Sequence, residues 1–232
     1  MWHNSFGSKF KIEIWGASHT PEIGVRIGGV PQGIALSEAD FEADLSRRRA
    51  SARGTTSRHE KDIPTIRAGV ADGVTTGETI EIVFSNGDTR SSDYSQFESH
   101  NRPSHVDFTA RAKYGEGVDL RGSGQFSGRM TVLLVAAGVV AKKIVGGVEY
   151  NTSIVEIGGS RNTAEFPAII EAAMHDCDSV GGVVECRISG NLSLLGEPFF
   201  DSVESVMSHL LFSIPAVKGV EFGDGFEGAR KR

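Results

Sequence analysis

Apolar positions along this chain change period several times, and each change marks an element. Phe10 to Trp15 (FKIEIW) alternates and predicts a half-buried strand, which Gly16 closes with Ala17, Ser18, His19 and Thr20 in the turn beyond it. A second strand is read in VRIGGV after Gly24. The cap-like Ser37 then opens a helix from Glu38 to about Arg49, with Glu38 and Asp40 at the positive end of its dipole and Arg47, Arg48 and Arg49 at the negative end. IRAGVADG and TIEIVFSNGD read as an antiparallel pair around Thr75, Thr76 and Gly77. Residues 86–104 lose all periodicity and form a long polar loop holding Asp88, Arg90, Asp93, Tyr94, His100 and Arg102, a kind of segment that tends to carry function.

The strongest apolar signal follows. From Thr131 the chain is apolar on every side (TVLLVAAGVVAKKIV), which predicts a buried core helix about 22 Å long lying between two other layers. Thr131 is placed to cap it, Lys142 and Lys143 suit its negative end, and Gly146 with Gly147 supplies the stop. Beyond it come a strand in VEYNTSIVEIGG, a helix from Ala164 to His175, a strand in GGVVECRISG and a helix from about Asp201 to Leu211. A last strand is read in SIPAVKGVEFGDGF. The strand, loop and helix order of residues 24–49 thus recurs near the end, a two-fold internal pseudo-repeat, and with no linker in between the 232 residues read as a single domain.

Composition narrows the class. Hydrophobic residues at 39% and charged residues at 23% describe a globular chain, and a net charge of -6 argues against wholesale binding to nucleic acid or a membrane surface. No apolar stretch is long enough to span a bilayer and the N-terminus lacks the apolar core of a signal peptide, so the expected address is the cytoplasm. Cys177 and Cys186 lack any CxxC spacing and are expected to be small buried hydrophobes, and Pro103 separates His100 from His105, so no metal site is expected.

Positive charge is local instead. Arg47, Arg48, Arg49, Arg53, Arg58 and Lys61 crowd one segment with only Glu60 among them, which points to a polyanionic ligand bearing phosphate and carboxylate groups. In RGSGQFSGR, Gly122, Gly124 and Gly128 precede a helix N-terminus and read either as an anion site or as a turn feeding a core helix. A lone histidine in a turn, as His19 is, is more often solvated than chemical.

Several stretches together carry a resemblance. NSFG (Asn4–Gly7), WGASH (Trp15–His19), Arg47–Arg49, TTSR (Thr55–Arg58), TTG (Thr75–Gly77), Asp93 with Tyr94, RPSHVD (Arg102–Asp107), KYG (Lys113–Gly115), Arg121–Gly124, Val135–Lys143 and SIPAVKG (Ser213–Gly219) resemble, in order, the chorismate synthase family. The resemblance implies an α/β (α+β) fold, a β-α-β sandwich of antiparallel sheets around central helices. It also implies an anti 1,4-elimination of phosphate from 5-enolpyruvylshikimate 3-phosphate with reduced FMN as cofactor, a homotetramer, and a flavin reductase as a further partner. His19 matches the histidine that protonates the departing phosphate, Ser18 a serine near the flavin, and His105 the histidine serving flavin N1. Arg48, Arg53, Arg102 and Arg129 match positions holding the substrate anions, and Gln125, Phe126 and Ser127 the flavin-contacting turn.

The chain departs from the family pattern at Ala17, Thr20 and Ala50, and at Gln125 and Phe126, where an arginine and a serine are usual. The resemblance covers the family's length without its C-terminal third, where flavin-phosphate contacts lie, so this stretch alone is expected to hold FMN weakly. The competing reading is a non-catalytic anion-binding or assembly protein that keeps the fold without a complete flavin site. Nucleotide hydrolysis lacks its GxxxxGK[ST] signature. If Arg48 holds a substrate anion, Arg48→Ala removes a charge-assisted bond of about 1.5 to 3 kcal/mol and weakens substrate binding at least tenfold, and an unchanged dissociation constant by calorimetry would remove the assignment.

Overall fold

A computed structural model describes residues 4–231 apart from Ser57, Arg90, Glu98 and Ser99; Ser57 of the TTSR stretch and Arg90 of the polar loop thus lie outside the described residues, and Ser91 and Asp93 are described by backbone alone. The chain forms two compact units, one of residues 1–48, 60–144 and 194–232, the other of residues 49–59 and 145–193.

In the larger unit, β1 (Ser5–Phe6), β2 (Lys11–Gly16) and β3 (Glu22–Gly28) are followed by a 3-10 turn (Glu38–Phe41) running into helix α1 (Glu42–Arg48). Strands β4 (Thr65–Ala68), β5 (Val70–Ala71), β6 (Val74–Thr75) and β7 (Ile80–Ser85) come next, and the sheet order is β1-β2-β3-β7-β4, antiparallel throughout. The expected pairing of IRAGVADG with TIEIVFSNGD is realised as β4 on β7. Period-two alternation puts Ile23, Val25 and Ile27 of β3 and Ile80, Ile82 and Phe84 of β7 on one fully buried face, while Arg26 and Glu81, paired across the strands at 2.9 Å, take the other. Gly24 is dictated by close approach, since a Cβ there would meet Trp15 Nε1 at 2.7 Å.

The buried face packs on Phe41 of the 3-10 turn and Leu45 of α1, and on α3 (Thr131–Val145), the apolar helix of the sequence, through Val132, Leu133, Ala136, Ala137, Val139 and Val140. Leu134 and Val135, on its remaining side, are half-buried. Its start differs from expectation. Ser127 Oγ accepts from Arg129 N at 3.3 Å and caps a 3-10 turn (Gly128–Met130) that leads into the helix, and Thr131 Oγ1 instead donates to Gly128 O at 2.7 Å.

The polar loop is more ordered than its lack of period suggested. It contains a 3-10 segment (Ser91–Phe97) and is followed by helix α2 (Asp107–Tyr114). In the smaller unit, β8 (Val148–Ile157) and β9 (Gly182–Gly190) form an antiparallel hairpin, with α4 (Phe166–His175) between them in sequence. The chain ends with α5 (Val203–Leu211) and the single turn α6 (Gly225–Gly228) in the larger unit.

The element order of strand, loop, 3-10 turn and helix at β3 and α1 recurs at β9 and α5, as the pseudo-repeat reading expected. Two expectations fail. SIPAVKGVEFGDGF forms no strand, because Pro215 offers no N–H and Ala216 (φ 72°), Gly223 (φ 59°) and Gly225 (φ 54°) adopt left-handed backbone that no ladder accepts. Cys177 and Cys186 are exposed rather than buried, Cys177 in a left-handed turn after α4 (φ 52°) and Cys186 on the hairpin. Among the described residues no helix is long and apolar enough to cross a membrane.

Leu133 is wholly buried between helix and sheet. Leu133→Ala is expected to cost about 2 to 5 kcal/mol, read from the midpoint of urea unfolding; a loss under about 1 kcal/mol would mean that α3 is not the core helix.

Candidate active site

Two segments distant in sequence meet at the end of β2. Gly16 releases the chain into the Ala17–Thr20 turn, which Thr20 closes: its Oγ1 accepts from Ala17 N at 2.9 Å and lies 2.8 Å from both Ala17 O and Glu22 O. Against this turn runs Arg121–Phe126, whose helical path is interrupted by left-handed Gly122 (φ 55°), Ser123 (φ 68°) and Gly124 (φ 54°). Ser18 N donates to Gly124 O at 3.0 Å. The fit is so close that a Cβ on Gly122 would meet His19 Nδ1 at 2.6 Å and Ser18 Oγ at 2.7 Å.

Ser18 is fully buried, and both ring nitrogens of His19 are shielded from solvent, contrary to the solvated histidine expected of a turn position. Tyr94 stands edge-on to the His19 ring at 5.1 Å. The glycine turn of Arg121–Phe126 and the turn bearing the histidine are therefore one structure.

The arginines form a second layer. Asp62, buried with left-handed backbone (φ 50°), accepts from Arg48 Nη1 at 2.9 Å through one carboxylate oxygen and from Arg129 Nη1 through the other. Arg48 reaches on to Gly128 O and Arg129 O, tying the end of α1 to the start of α3. Arg129 Nε donates to Asn86 Oδ1 at 2.9 Å, and Asn86 Nδ2 donates in turn to Thr20 O at 2.7 Å and Ala17 O at 3.2 Å. The side chain of Arg129 is 2% exposed, against 22% for Arg48.

A third arginine borders a cavity of about 270 Å³ lined by Tyr94, Phe97, Arg102, Asp107, Leu120 and Arg121, among others. Asp107 opens α2 and holds Arg102 with both oxygens, at 2.8 Å to Nε and 2.8 Å to Nη2, while accepting from the Arg102 backbone N–H at 3.0 Å. The guanidinium packs over Tyr94 at 5.6 Å and Phe97 at 5.2 Å. The Arg102 hydrogen bonds hold the Asp107 carboxyl below the ordinary range against the opposing effect of burial, and the same pairing raises Arg102. Asp119 is held low in the same way by Arg121, with a smaller contribution from the nearby His19.

His105 is exposed just before α2, with Nδ1 at 3.0 Å from Pro103 O; a carbonyl only accepts, so Nδ1 carries the proton and Nε2 remains to exchange one. Gln125 Oε1 accepts from Asn4 Nδ2 at 3.0 Å, and Phe126 is exposed beside Tyr114 at 6.3 Å. Arg53 belongs to the smaller unit, where it pairs with Glu171 at 2.7 Å on an exposed surface. Asp62, Asn86, Asp107 and Asp119 were not found from sequence. Asp62 and Asn86 act across long separations that leave no local trace, whereas Asp107 had one: an acid at the first turn, Arg111 and Lys113 in the last, then Gly115.

The sequence profile described as chorismate synthase matches residues 10–232. A chorismate synthase from Chitinophaga pinensis is 50% identical over 230 residues, covering 99% of this chain and 68% of its own. The chain belongs to the chorismate synthase family. A second chorismate synthase, from Rhodospirillum rubrum, is 39% identical over 257 residues, covering 99% of this chain and 70% of its own. The crystal structure of a chorismate synthase superposes with a TM-score of 0.74 over 97% of this chain and 72% of that one, at 23% identity, and shares the fold. The chorismate synthase activity is a lyase reaction of the shikimate pathway, with a small-molecule substrate, as the resemblance implied.

Within this chorismate synthase the Arg102–Asp107 pair gives a pH signature. A carboxylate held low in the folded state contributes stability that is complete above its ordinary value of 3.8 and is lost as pH falls below that value towards the lowered one. Thermal melting from neutral pH to pH about 3 is expected to fall less steeply in Asp107→Asn than in the parent chain at the acid end. Identical slopes would show that the pair contributes nothing there.

Proposed function

We propose that the joined Ser18–His19 turn and Gly122–Gly124 loop are the reaction centre of the elimination. The observation that carries this reading is the contact at Gly122, which leaves no room for a Cβ against His19 and Ser18 and so presses the candidate acid onto the candidate anion loop. In the 1,4-elimination a proton passes from carbon to a base, the electron pair of the broken C–H bond forms a new double bond, the existing ring double bond shifts by one position, and the bond from carbon to the phosphate oxygen breaks with its electron pair leaving on the phosphate. His19 protonates the departing phosphate oxygen, a general-acid task that an imidazole commonly performs.

Arg48 and Arg102, each partly exposed, hold the anionic groups of 5-enolpyruvylshikimate 3-phosphate, while buried Arg129 supplies positive charge and support from behind. Arg53, which the resemblance also matched to an anion-holding position, pairs with Glu171 within the smaller unit and takes no part in this reading. Asp62 neutralises part of the charge of Arg48 and Arg129, so the pair presents a net positive field without two bare guanidiniums repelling each other.

Reduced FMN fits the face of Gln125, Phe126 and Ser127. Phe126 is 38% exposed, its ring tilts against Tyr114, and a Cβ at Gly128 would meet nothing within 4 Å, so a planar ring has an aromatic surface and open backbone to approach. When bound, reduced FMN lends electron density to the breaking carbon–oxygen bond and recovers it, so the reaction has no net redox change. Nδ1 of His105 is engaged with Pro103 O, so in this reading Nε2 is the nitrogen through which His105 exchanges a proton with the flavin. A homotetramer belongs to this reading, supported by the exposed Phe199 and Phe200, as does a flavin reductase that keeps FMN reduced.

With reduced FMN supplied, His19→Ala is expected to lower kcat about a hundredfold, and His105→Ala likewise, with flavin affinity and melting temperature unchanged for His19→Ala. Full turnover in both variants would return the histidines to the status of ordinary turn residues.

A further inference from the structure

Asn86 follows the last residue of β7 and is the joint between the arginine layer and the histidine turn. Its backbone N–H donates to Pro21 O at 2.9 Å, and its side chain makes the two bonds to Thr20 O and Ala17 O. Those carbonyls bracket Ser18 and His19. On the opposite side its Oδ1 accepts from Arg129 Nε, whose guanidinium also binds Asp62. The orientation of the amide is settled by chemistry, because carbonyl oxygens only accept and a guanidinium only donates.

We infer that Asn86 is a positioning residue of the elimination: it fixes the Ala17–Thr20 turn at the one depth that seats His19 against Gly122, and it links that depth to the Asp62–Arg129 pair. The inference rests on the reading of His19 as the acid. Its physical basis is tolerance. Gly122 lies so close that a single added carbon would clash with the His19 ring, and Tyr94 limits the ring at another edge. A turn free to shift by part of an ångström would either collide with Gly122 or withdraw from it, and proton delivery is sensitive to displacements of that size. Thr20 closes the turn on itself but ties it to nothing outside except the start of β3. The side chain of Asn86 supplies the tie to the arginine layer.

Asn86→Asp separates the two functions of the side chain, since it keeps an acceptor for Arg129 and replaces both donors to the turn with oxygen. Asn86→Ala removes everything. In each variant kcat is expected to fall about a hundredfold, with the KM for 5-enolpyruvylshikimate 3-phosphate little changed because Arg48 and Arg102 are untouched. The His19 imidazole resonance in proton–carbon spectra, assigned by its loss in His19→Ala, is expected to shift in both without added flavin. In the His19→Ala background, Asn86→Asp is expected to cost nothing further in kcat.

Three outcomes overturn the inference: additive losses in the double variant, an unmoved His19 resonance, or an Asp variant that behaves as the parent while the Ala variant fails, which would reduce Asn86 to an anchor for Arg129. If Asn86→Ala does not fold, the near-isosteric Asp variant carries the test. If His19→Ala itself keeps full turnover, the acid assignment falls on its own, and the resonance alone then decides whether Asn86 seats the turn.

Discussion

The arrangement of the site depends on one buried carboxylate. Asp62 lies in the middle of the fold with a guanidinium on each oxygen, Arg48 from the end of α1 and Arg129 from the entry to α3. Each arginine reaches beyond it, Arg48 to the carbonyls that start α3 and Arg129 to Asn86 and Ser85 O. Helix α1, helix α3 and the end of β7 are therefore referenced to a single side chain. Removing one partner from a buried pair typically costs about 3 to 5 kcal/mol, because the charge left behind has neither water nor a counterion. Replacing a whole buried ion pair with apolar groups is often neutral, so the pair's contribution is better understood as register than as stability.

From that register the chemistry is built outwards in steps of one hydrogen bond. Arg129 orients Asn86, Asn86 holds the carbonyls of the Ala17–Thr20 turn, and the turn sets His19 and Ser18 against the left-handed backbone of Gly122. Ser123 adopts left-handed backbone without being glycine, a conformation that persists only where its surroundings over-determine it. Here the Ser18 N–H to Gly124 O bond and the Ser123 N–H to Leu120 O bond at 2.9 Å supply that determination. A loop of this kind on mobile supports would relax; on α3 and β2 it does not.

What the sequence disclosed followed physical range. Alternation in β2, β3 and β7 and the apolar run of α3 report burial directly, residue by residue, and the predicted elements are present, although β3 begins at Glu22 and ends at Gly28, earlier at both ends than the VRIGGV stretch read for it. The family motifs pointed to the side chains of the proposed chemistry, but not to their internal counterions. The crowd of arginines read as a site awaiting a polyanion, yet its Arg48 already shares Asp62 with Arg129 and its Arg53 already pairs with Glu171, just as Arg102, outside that crowd, already has Asp107. Asp107 was within reach, since its charge pattern and the following Gly115 mark a helix that its polar composition hides. Asp62 was not, because nothing near it in sequence distinguishes it from a surface aspartate. The closing SIPAVKG segment misled for a local reason: its apolar spacing imitates a strand, and Pro215 with left-handed Ala216 denies it the ladder.

A site for a ligand with a phosphate and two carboxylates needs several cations close together, and before the ligand arrives those cations repel one another. Asp62 and Asp107 resolve the conflict at a known cost. Each fixes the direction of its arginines, so in the proposed reading a ligand meets forks already aimed rather than side chains that must be collected from solvent. Each also competes with the ligand for the same donors. The balance favours a phosphate over a lone carboxylate: a dianion draws more from partly neutralised guanidiniums than a monoanion does, while the Asp107 carboxyl, held low by Arg102, stays ionised across the physiological range and keeps the comparison constant. Because an internal carboxylate repels a dianion more strongly than a monoanion, it narrows this preference rather than creating it, and the discrimination that remains comes from the net positive charge of the arginines.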